Sequence, residues 1–194
     1  MVTSIEQFWI KTDRYVRLSE ESKAALEAIT QERSLKKNEF FLREGQIPRT
    51  VAFVLKGLLS QYYTTAKGDT VIKRFFPETY LVGSMSALLQ NSPSLFNIKA
   101  LEACSLLEYN FQKFKELTER HTDIAAFYIR YMEQHWIIEK EPFEISFRHD
   151  NATTRYLDFR KAYPALEPRL KQHEVAAYIG VTPTQLSRIR AELY

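Results

Sequence analysis

The spacing of hydrophobic and polar positions changes along the chain. From Ile5 to about Gln31, apolar residues recur three and four positions apart, and Ser19 offers a side-chain oxygen that can begin a helix. Between Arg33 and Asn110, short runs rich in Phe, Val, Tyr and Leu alternate with turn signals such as Glu44-Gly45 and Lys56-Gly57. The pattern predicts a short helical entry followed by an antiparallel β-barrel or β-roll.

A helical region follows the predicted β-roll. The periodicity predicts a short helix that begins at Phe111 and a longer one from Thr122 to Glu141. The longer helix has a broad apolar face, which either the β-block of the same chain or a second copy in a dimer must cover. That face consists of Ile124, Phe127, Tyr128, Tyr131, Met132, His135, Trp136 and Ile138. Pro142 predicts a bend near Glu141-Pro142-Phe143, because proline cannot continue a helix without a kink.

The segment QHEVAAYIGVTPTQLSRIRAEL, near the C-terminal end, has the spacing of two tightly crossed helices. Ala176 is small where the second helix would pass closest, and Gly180 can adopt the positive φ of a tight turn. Thr182 can cap the second helix, and Pro183 fits its first turn, where no amide donor is needed. The inward apolar positions are Val175, Ile179, Val181, Leu186 and Ile189. The pattern predicts a helix-turn-helix, which places its second helix in the major groove of DNA.

The outward side chains of the second helix can hydrogen-bond base edges or phosphates. Arg188 suits guanine and Gln185 suits adenine, each through paired hydrogen bonds, and Arg169 is a further candidate for a phosphate contact. The predicted DNA-binding residues are Lys171, Gln172, His173, Thr182, Pro183, Thr184, Gln185, Ser187, Arg188 and Arg190. A helical hairpin with a solvated polar face is the alternative interpretation.

Charge and composition fit this picture. The net charge of +3 comes entirely from the stretch Arg148 to Tyr194, where eight Lys or Arg face five Asp or Glu. Such a mild excess suits one module with local phosphate contacts. No stretch is apolar enough to span a bilayer and no leader pattern is present, so we expect a cytoplasmic protein without membrane contact. The single cysteine, Cys104, excludes an intrachain disulfide and is expected in the core.

The order of parts resembles the Crp-Fnr family of bacterial transcription regulators: a β-roll, a long central helix, a hinge near Asp150, one more helix and a terminal helix-turn-helix. The resemblance covers nearly the whole chain. It rests on the turn glycines Gly45 and Gly57, on VGSMSALL as the start of a phosphate-binding cassette, and on the segments RYLDFRKAYP and IGVTPTQLSRIRAEL. The Tyr-Pro and Thr-Pro pairs of these two segments resemble the branch common in Bacteroidetes.

The resemblance implies an α+β fold with an N-terminal antiparallel β-roll of the cyclic-nucleotide-binding jelly-roll type. Residues 1–121 would form the N-terminal helices and β-roll sensor, residues 122–149 the dimerisation helix and hinge, and residues 150–194 the helix-turn-helix domain. It further implies a homodimer that binds a palindromic operator in double-stranded DNA, in which an effector in the β-roll reorients the reader helices. RNA polymerase and a small-molecule effector are further candidate partners, and no cofactor is predicted.

The predicted effector pocket departs from the chemistry of relatives that bind cyclic nucleotides. Those relatives place Glu after the cassette glycine, and Arg followed by Ser or Thr at its end. Here Ser84 follows Gly83, and Ser94-Leu95 stands at the closing positions. A buried phosphate without a guanidinium would carry a large desolvation cost, so we expect weak or no binding of cyclic AMP. The other pocket positions are Met85, Ser86 and Lys99, and Met85, Leu88, Leu95 and Phe96 could fill the space themselves.

Two alternatives to a sequence-specific regulator stay open. One is a cupin-like small-molecule-binding protein or enzyme with a vestigial DNA-binding tail. A metal-dependent cupin would gather histidines inside the barrel, whereas His121, His135, His149 and His173 all lie outside the β-block. No catalytic motif is present, so neither a metal site nor an enzyme is predicted. The other alternative is a partner-binding regulator that no longer reads specific DNA.

Overall fold

The computed structural model describes residues 3–193. Within that range two short helices lead into two four-stranded sheets, and a mainly helical half follows. The strands are β1 (Thr30–Leu35), β2 (Phe40–Leu42), β3 (Thr50–Lys56), β4 (Leu59–Thr64), β5 (Thr70–Phe76), β6 (Leu81–Val82), β7 (Asn97–Ala100) and β8 (Cys104–Asn110). The α-helices are α1 (Ser4–Thr12), α2 (Glu20–Ala28), α3 (Met85–Gln90), α4 (Phe111–Arg120), α5 (Thr122–Met132), α6 (Lys140–His149), α7 (Ala152–Ala162), α8 (Gln172–Ile179) and α9 (Pro183–Leu193). None of these described helices is long and apolar enough to cross a membrane.

The two sheets form the predicted β-roll. Their strand orders are β1-β8-β3-β6 and β2-β7-β4-β5, and every pairing is antiparallel. Apolar side chains of both sheets share one buried core, made of Leu35, Phe41, Leu42, Ala52, Val54, Leu59, Phe76, Val82, Ile98, Ala100, Cys104 and Leu106. The predicted α+β class and the antiparallel roll are therefore confirmed, and Cys104 lies in the core as expected.

Gly57 brings two turns of the β-roll together. It has a φ of +102°, and a Cβ at this position would lie 2.6 Å from the carbonyl oxygen of Ala103. Only glycine fits such a close approach in this backbone region. The Gly57 amide donates a hydrogen bond to Glu78 at 2.9 Å. The turn after β3 is therefore fixed against the turn that precedes β8.

A second core forms where the N-terminal helices and the central helix meet the β-roll. Thr3 and Ser19 cap α1 and α2 through their side-chain oxygens. The Phe8 ring of α1 lies 5.0 Å from the Phe53 ring of β3 and 6.1 Å from the Phe127 ring of α5, between ring centroids. The central helix thus packs on the β-roll of its own chain.

The central helix is interrupted earlier than predicted. A π-helical segment, Glu133–Ile138, joins α5 to α6, and the Glu139 amide donates to the Gln134 carbonyl at 3.0 Å. Pro142 lies within the first turn of α6. Pro142 has no amide hydrogen to donate to the carbonyl of Ile138, four residues earlier, and its ring crowds that carbonyl. The distortion of the helix therefore lies before Pro142 and not at it.

Helices α7 to α9, residues 152–193, form a unit that we call the reader domain. Its core includes Tyr156, Phe159, Val175, Tyr178 and Leu186, together with Leu58, Ile72, Phe75 and Leu101 of the β-roll. The Phe75 and Tyr178 ring centroids lie 5.1 Å apart. The reader domain is therefore docked on the β-roll through a shared apolar core.

A charged contact, which we call the Arg169 latch, joins the same two parts. Arg169 lies in the 3₁₀ turn Glu167–Arg169 and donates to Glu78 at 2.8 and 2.9 Å and to Glu102 at 2.8 and 3.0 Å. These are paired, charge-assisted hydrogen bonds with good geometry. The guanidinium is bonded to the β-roll, so the expectation that Arg169 contacts a DNA phosphate requires these bonds to break.

Candidate nucleic-acid interface

Helices α8 and α9 cross around a tight turn at Gly180. Gly180 has a φ of +74°, in the left-handed region that favours glycine. Val175, Ala176, Ile179, Leu186 and Ile189 are all buried between the helices. The turn and both helices lie where the sequence pattern predicts them, and α9 begins at Pro183.

The start of α9 is fixed by a reciprocal cap. The Gln185 amide donates to Thr182 Oγ1 at 3.2 Å, and the Thr182 amide donates to Gln185 Oε1 at 2.9 Å. Gln172 adds a bond from its side-chain amide to the Pro183 carbonyl at 2.6 Å, which joins the beginnings of the two helices. Paired recognition of adenine needs the Gln185 oxygen and amide together. In this structure Gln185 is a capping residue, so the prediction that it reads adenine requires the cap to open.

The remaining polar side chains of α9 give the interface its chemistry. Thr184, Ser187 and Arg188 are exposed, and Arg188 forms no ion pair with any carboxylate of residues 3–193. Lys171 and His173 are exposed at the start of α8. The nearby Gln172–Pro183 bond places this start beside the start of α9. Exposed cationic and hydroxyl donors thus occur at the start of α8 and in the first two turns of α9.

Arg190 does not belong to this exposed set. Its guanidinium donates to the Tyr156 hydroxyl at 3.0 Å and to Glu167 at 2.9 Å, and Glu167 also accepts from Arg160. Burial, and then the bond to Glu167, raises the pKa of Tyr156, so this hydroxyl stays protonated. The Arg190 side chain joins α9 to α7 and the 3₁₀ turn, so the prediction that Arg190 contacts DNA requires these bonds to break.

The effector cassette is closed by its own side chains. Ser84 and Ser94 are each 2% exposed, and their hydroxyl oxygens lie 3.0 Å apart. Ser94 Oγ also accepts from the Phe96 amide at 3.1 Å and lies 2.9 Å from the Phe96 carbonyl oxygen. These are the positions where the resemblance implies Glu and Arg in relatives that bind cyclic nucleotides. Here the two hydroxyl groups are hydrogen-bonding partners of each other.

The other predicted pocket residues do not converge on a ligand site. Met85 is buried in the core, and a Cβ on Gly83 would lie 3.3 Å from Val51. Ser86 is exposed, and Lys99 is half-buried on β7 opposite Ser60. Leu95 is 75% exposed, so the expectation that it fills the pocket is wrong. It lies in the cassette turn, where Ser94 and not Leu95 points into the roll.

The predicted dimer face is largely used within the chain. Ile124, Phe127 and Tyr131 are buried against α1 and the β-roll, so their assignment to a partner's surface is corrected. His135 is also buried, with one ring nitrogen 2.6 Å from the Tyr15 hydroxyl and the other 2.8 Å from Glu139. Tyr128, Met132 and Trp136 are half-buried, and Ile138 is exposed.

A row of exposed isoleucines along the central helix was not predicted as a set. Ile129, Ile137, Ile138 and Ile145 are 54 to 60% exposed. Only Ile138 had been assigned to the dimer face. Ile129 lies on α5, Ile137 and Ile138 lie in the π-helical segment, and Ile145 lies on α6.

Comparison with known proteins agrees with this architecture. A family model of the cyclic nucleotide-binding domain matches residues 32–121. The transcriptional activator protein anr of Pseudomonas aeruginosa is 25% identical over 174 residues, which cover 84% of this chain and 70% of that protein. The chain therefore contains a region similar to a cyclic nucleotide-binding domain and resembles a transcriptional activator over most of its length, in line with the predicted resemblance to the Crp-Fnr family. Nothing in these matches decides the Bacteroidetes branch, which stays a prediction.

Solved structures extend the likeness beyond the β-roll. FixK2 from Bradyrhizobium japonicum has a TM-score of 0.71 at 15% identity, and the match covers 85% of this chain and 84% of FixK2. The c-di-GMP responsive global regulator CLP from Xanthomonas campestris has a TM-score of 0.70 at 14% identity, covering 90% and 91%. At these identities the likeness concerns the fold. Among residues 3–193 of this chain, no group of three or more His, Cys, Asp or Glu is placed to hold a metal ion.

Proposed function

We propose that the protein is a homodimeric, sequence-specific DNA-binding transcription regulator whose β-roll does not bind cyclic AMP. The observation that carries the proposal is the exposed polar edge of α9, held at a fixed angle by the Gly180 turn and the Thr182 cap. Its similarity to anr, which is named a transcriptional activator, supports a role in transcription. We further propose that it acts in the cytoplasm, with RNA polymerase as a candidate partner.

Arg188 is the side chain best suited to read a base. It is exposed, lies on the second helix and has no carboxylate partner among the described residues, so its fork is available to guanine O6 and N7. Thr184 and Ser187 can contact neighbouring bases or phosphates. Lys171 and His173, at the start of α8, suit phosphate contacts that fix the position of the reader without specifying sequence.

The cassette argues against cyclic AMP. A cyclic phosphate bound between Ser84 and Ser94 would have to break their mutual hydrogen bond, and neither residue supplies a positive charge. Lys99 is a point charge on β7 and cannot form the paired bonds of an arginine fork. We therefore expect DNA binding to be unaffected by cyclic AMP or cyclic GMP.

The exposed isoleucine row supports dimerisation. Ile129, Ile137, Ile138 and Ile145 present large apolar side chains on α5, the π-helical segment and α6, and a paired copy of this region would remove them from water. We expect Ile138→Asp to release monomers in sedimentation equilibrium. Ile10→Asp is the matched control, because Ile10 is 57% exposed but lies on α1. The proposed dimerisation through this region would be refuted if the wild-type protein is a monomer. It would also be refuted if Ile138→Asp dimerises with the same dissociation constant as the wild type.

Selection of bound duplexes from a random DNA pool tests the function as a whole. We expect a palindromic motif that is the same with and without cyclic AMP. Arg188→Ala should relax one position of each half-site, at a cost of about 1–3 kcal/mol there. Lys171→Ala is the control and should weaken all sequences alike, with a salt dependence shallower by about one unit. Sequence-blind binding, or an unchanged motif in Arg188→Ala, would contradict the proposed reading.

A further inference from the structure

A cleft of about 740 Å³ lies between the reader domain and the β-roll. Lys73 of β5 forms part of one side, Trp136 and Phe143 belong to the central helix, and Phe159 and Tyr178 belong to the reader domain. Its volume falls in the range of about 300–1,000 Å³ that is usual for small-molecule sites. The cleft is separate from the cassette, whose serines do not line it.

The apolar lining of the cleft is mainly aromatic. The Phe143 ring centroid lies 5.0 Å from that of Tyr178 and 4.6 Å from that of Phe147, and Phe159 lies 5.4 Å from Tyr178. Phe147 is 40% exposed, although it is a large apolar side chain. Rings at these separations favour a further ring in an offset or edge contact. The shape and lining thus suit a planar, aromatic ligand body.

The cleft also carries an excess of positive charge. Glu139, Glu144 and Asp158 line it, but so do Lys73, Arg74, Lys140, Arg148, Arg155 and Lys161. Arg74 is already paired with Glu139 at 3.5 Å, and Lys140 with Glu144 at 2.7 Å.

Lys73 differs from its paired neighbours. Its ammonium lies 4.4 Å from the centre of the Phe96 ring and 5.9 Å from that of Trp136, and it has no carboxylate partner among residues 3–193. Burial, and then the charges of Lys140 and Arg74, lowers the pKa of Lys73. A bound anion would relieve that repulsion. The Lys73 ammonium is therefore a half-buried cation of the cleft that is available to a ligand's negative charge.

We propose that this cleft binds an aromatic carboxylate, with the ring against the aromatic side chains and the carboxylate on the Lys73 ammonium. Because the β-roll and the reader domain both line the cleft, the ligand stabilises the docked arrangement of the two. Binding itself does not depend on the proposed function. Only its consequence for DNA rests on that function.

The test uses the full chain and three probes of one shape: 2-naphthoate, the neutral 2-naphthalenemethanol and the cationic 2-naphthylmethylammonium. By isothermal titration calorimetry we expect 2-naphthoate to bind about tenfold more tightly than the alcohol, and the ammonium compound not to bind. Lys73→Met should weaken 2-naphthoate about tenfold and leave the alcohol unchanged. Lys115→Met is the matched control, because the Lys115 ammonium also lies over a ring, 4.9 Å from Tyr128, but on α4.

A second variant tests the location without removing a charge. Ala162 is exposed at the end of α7 and lines the cleft, so Ala162→Phe should obstruct it and abolish binding while the circular dichroism melting curve stays that of the wild type. Absence of 2-naphthoate binding, equal binding of acid and alcohol, or an undiminished affinity in Lys73→Met would overturn the proposal. Operator binding is measured separately on the same samples. Naphthoate binding without DNA binding would uphold the cleft and refute the regulator, and the reverse result would refute the cleft alone.

Discussion

Replacing Arg169 with methionine would break the latch between the reader domain and the β-roll. Methionine keeps much of the length of the side chain but loses the guanidinium that bonds Glu78 and Glu102. Glu78 and Glu102 would then lose the cation that they share. The shared apolar core around Phe75 and Tyr178 would remain. The change therefore isolates the electrostatic part of the docking.

The expected loss lies between two limits. A hydrogen bond to a charged group contributes about 1.5–3 kcal/mol when buried, whereas an exposed ion pair contributes about 0–1 kcal/mol. The Arg169 side chain is 26% exposed, and those of Glu78 and Glu102 are 37% and 33% exposed. Solvent screens the pairs in part, so we expect Arg169→Met to lower the free energy of unfolding by about 2 kcal/mol.

The latch should also depend on pH. Burial acts to raise the pKa of Glu78, but the hydrogen bonds from Arg169 and the Gly57 amide outweigh it and hold that pKa below its ordinary value. A lowered folded-state pKa stabilises the protein above the ordinary carboxyl pKa of about 4.3, and this contribution is lost as the pH falls through the folded value. The difference between wild type and Arg169→Met should therefore shrink in acid.

Urea unfolding followed by circular dichroism measures the effect through a double-mutant cycle. Arg169→Met is combined with Glu102→Gln and, separately, with Glu78→Gln, and each pair should show a coupling energy of about 0.5–1.5 kcal/mol. Arg120→Met on α4 is the control, because Arg120 is exposed and should change stability by less than about 0.5 kcal/mol. Coupling energies below about 0.3 kcal/mol for both pairs would refute the reasoning. The effects of the two substitutions would then simply add, and the ion pair would contribute no interaction energy of its own.

Three further changes test local features of the fold. Gly180→Ala should destabilise the protein by about 1–2 kcal/mol in thermal unfolding, because φ is +74° and the new Cβ would lie 3.2 Å from Phe147; an unchanged midpoint would contradict this. Gln61→Leu should raise the free energy of unfolding by about 1 kcal/mol, because the buried Gln61 Oε1 has no partner among the described residues. The exposed Gln112→Leu is its control, and a loss of stability specific to Gln61 would show that this oxygen is satisfied. Burial raises the pKa of Cys104 to about 11, so the native thiol should resist iodoacetamide at mildly alkaline pH and react only after unfolding; rapid native alkylation would contradict its burial.

The parts that the sequence predicted well are those set by a few neighbouring residues. A positive φ at Gly180 and a cap at Thr182 act within one turn of chain, so the pattern placed the crossing of α8 and α9 correctly. The alternation of apolar runs and turn signals likewise predicted the β-roll, whose hairpins such as β4–β5 join strands close in sequence. Turns, caps and hairpins depend on residues that are close in sequence, so the sequence pattern can predict them.

The parts that the sequence did not predict depend on distant partners. Arg169 bonds Glu78, which lies 91 positions away, and Arg190 bonds Tyr156, 34 positions away, so neither pairing leaves a local pattern. The face of α5 is apolar whether it covers its own β-roll or a second copy, and only the structure shows Phe127 packed on Phe8. The charge or hydrophobicity of a side chain indicates that it needs a partner in the fold, but it does not identify the partner residue.

The latch and the cleft act on the same docking equilibrium, and this leads to one coupled prediction. If an aromatic carboxylate binds only when the reader domain is docked, its apparent affinity falls with the docked fraction. Arg169→Met should therefore weaken 2-naphthoate binding, although Arg169 does not line the cleft. Conversely, saturating 2-naphthoate should restore part of the stability lost in Arg169→Met, as mass action requires of a ligand that binds the docked state. Unchanged naphthoate affinity in Arg169→Met, measured by calorimetry, would mean that the latch and the cleft are independent and that the reader domain stays docked without its charged contact.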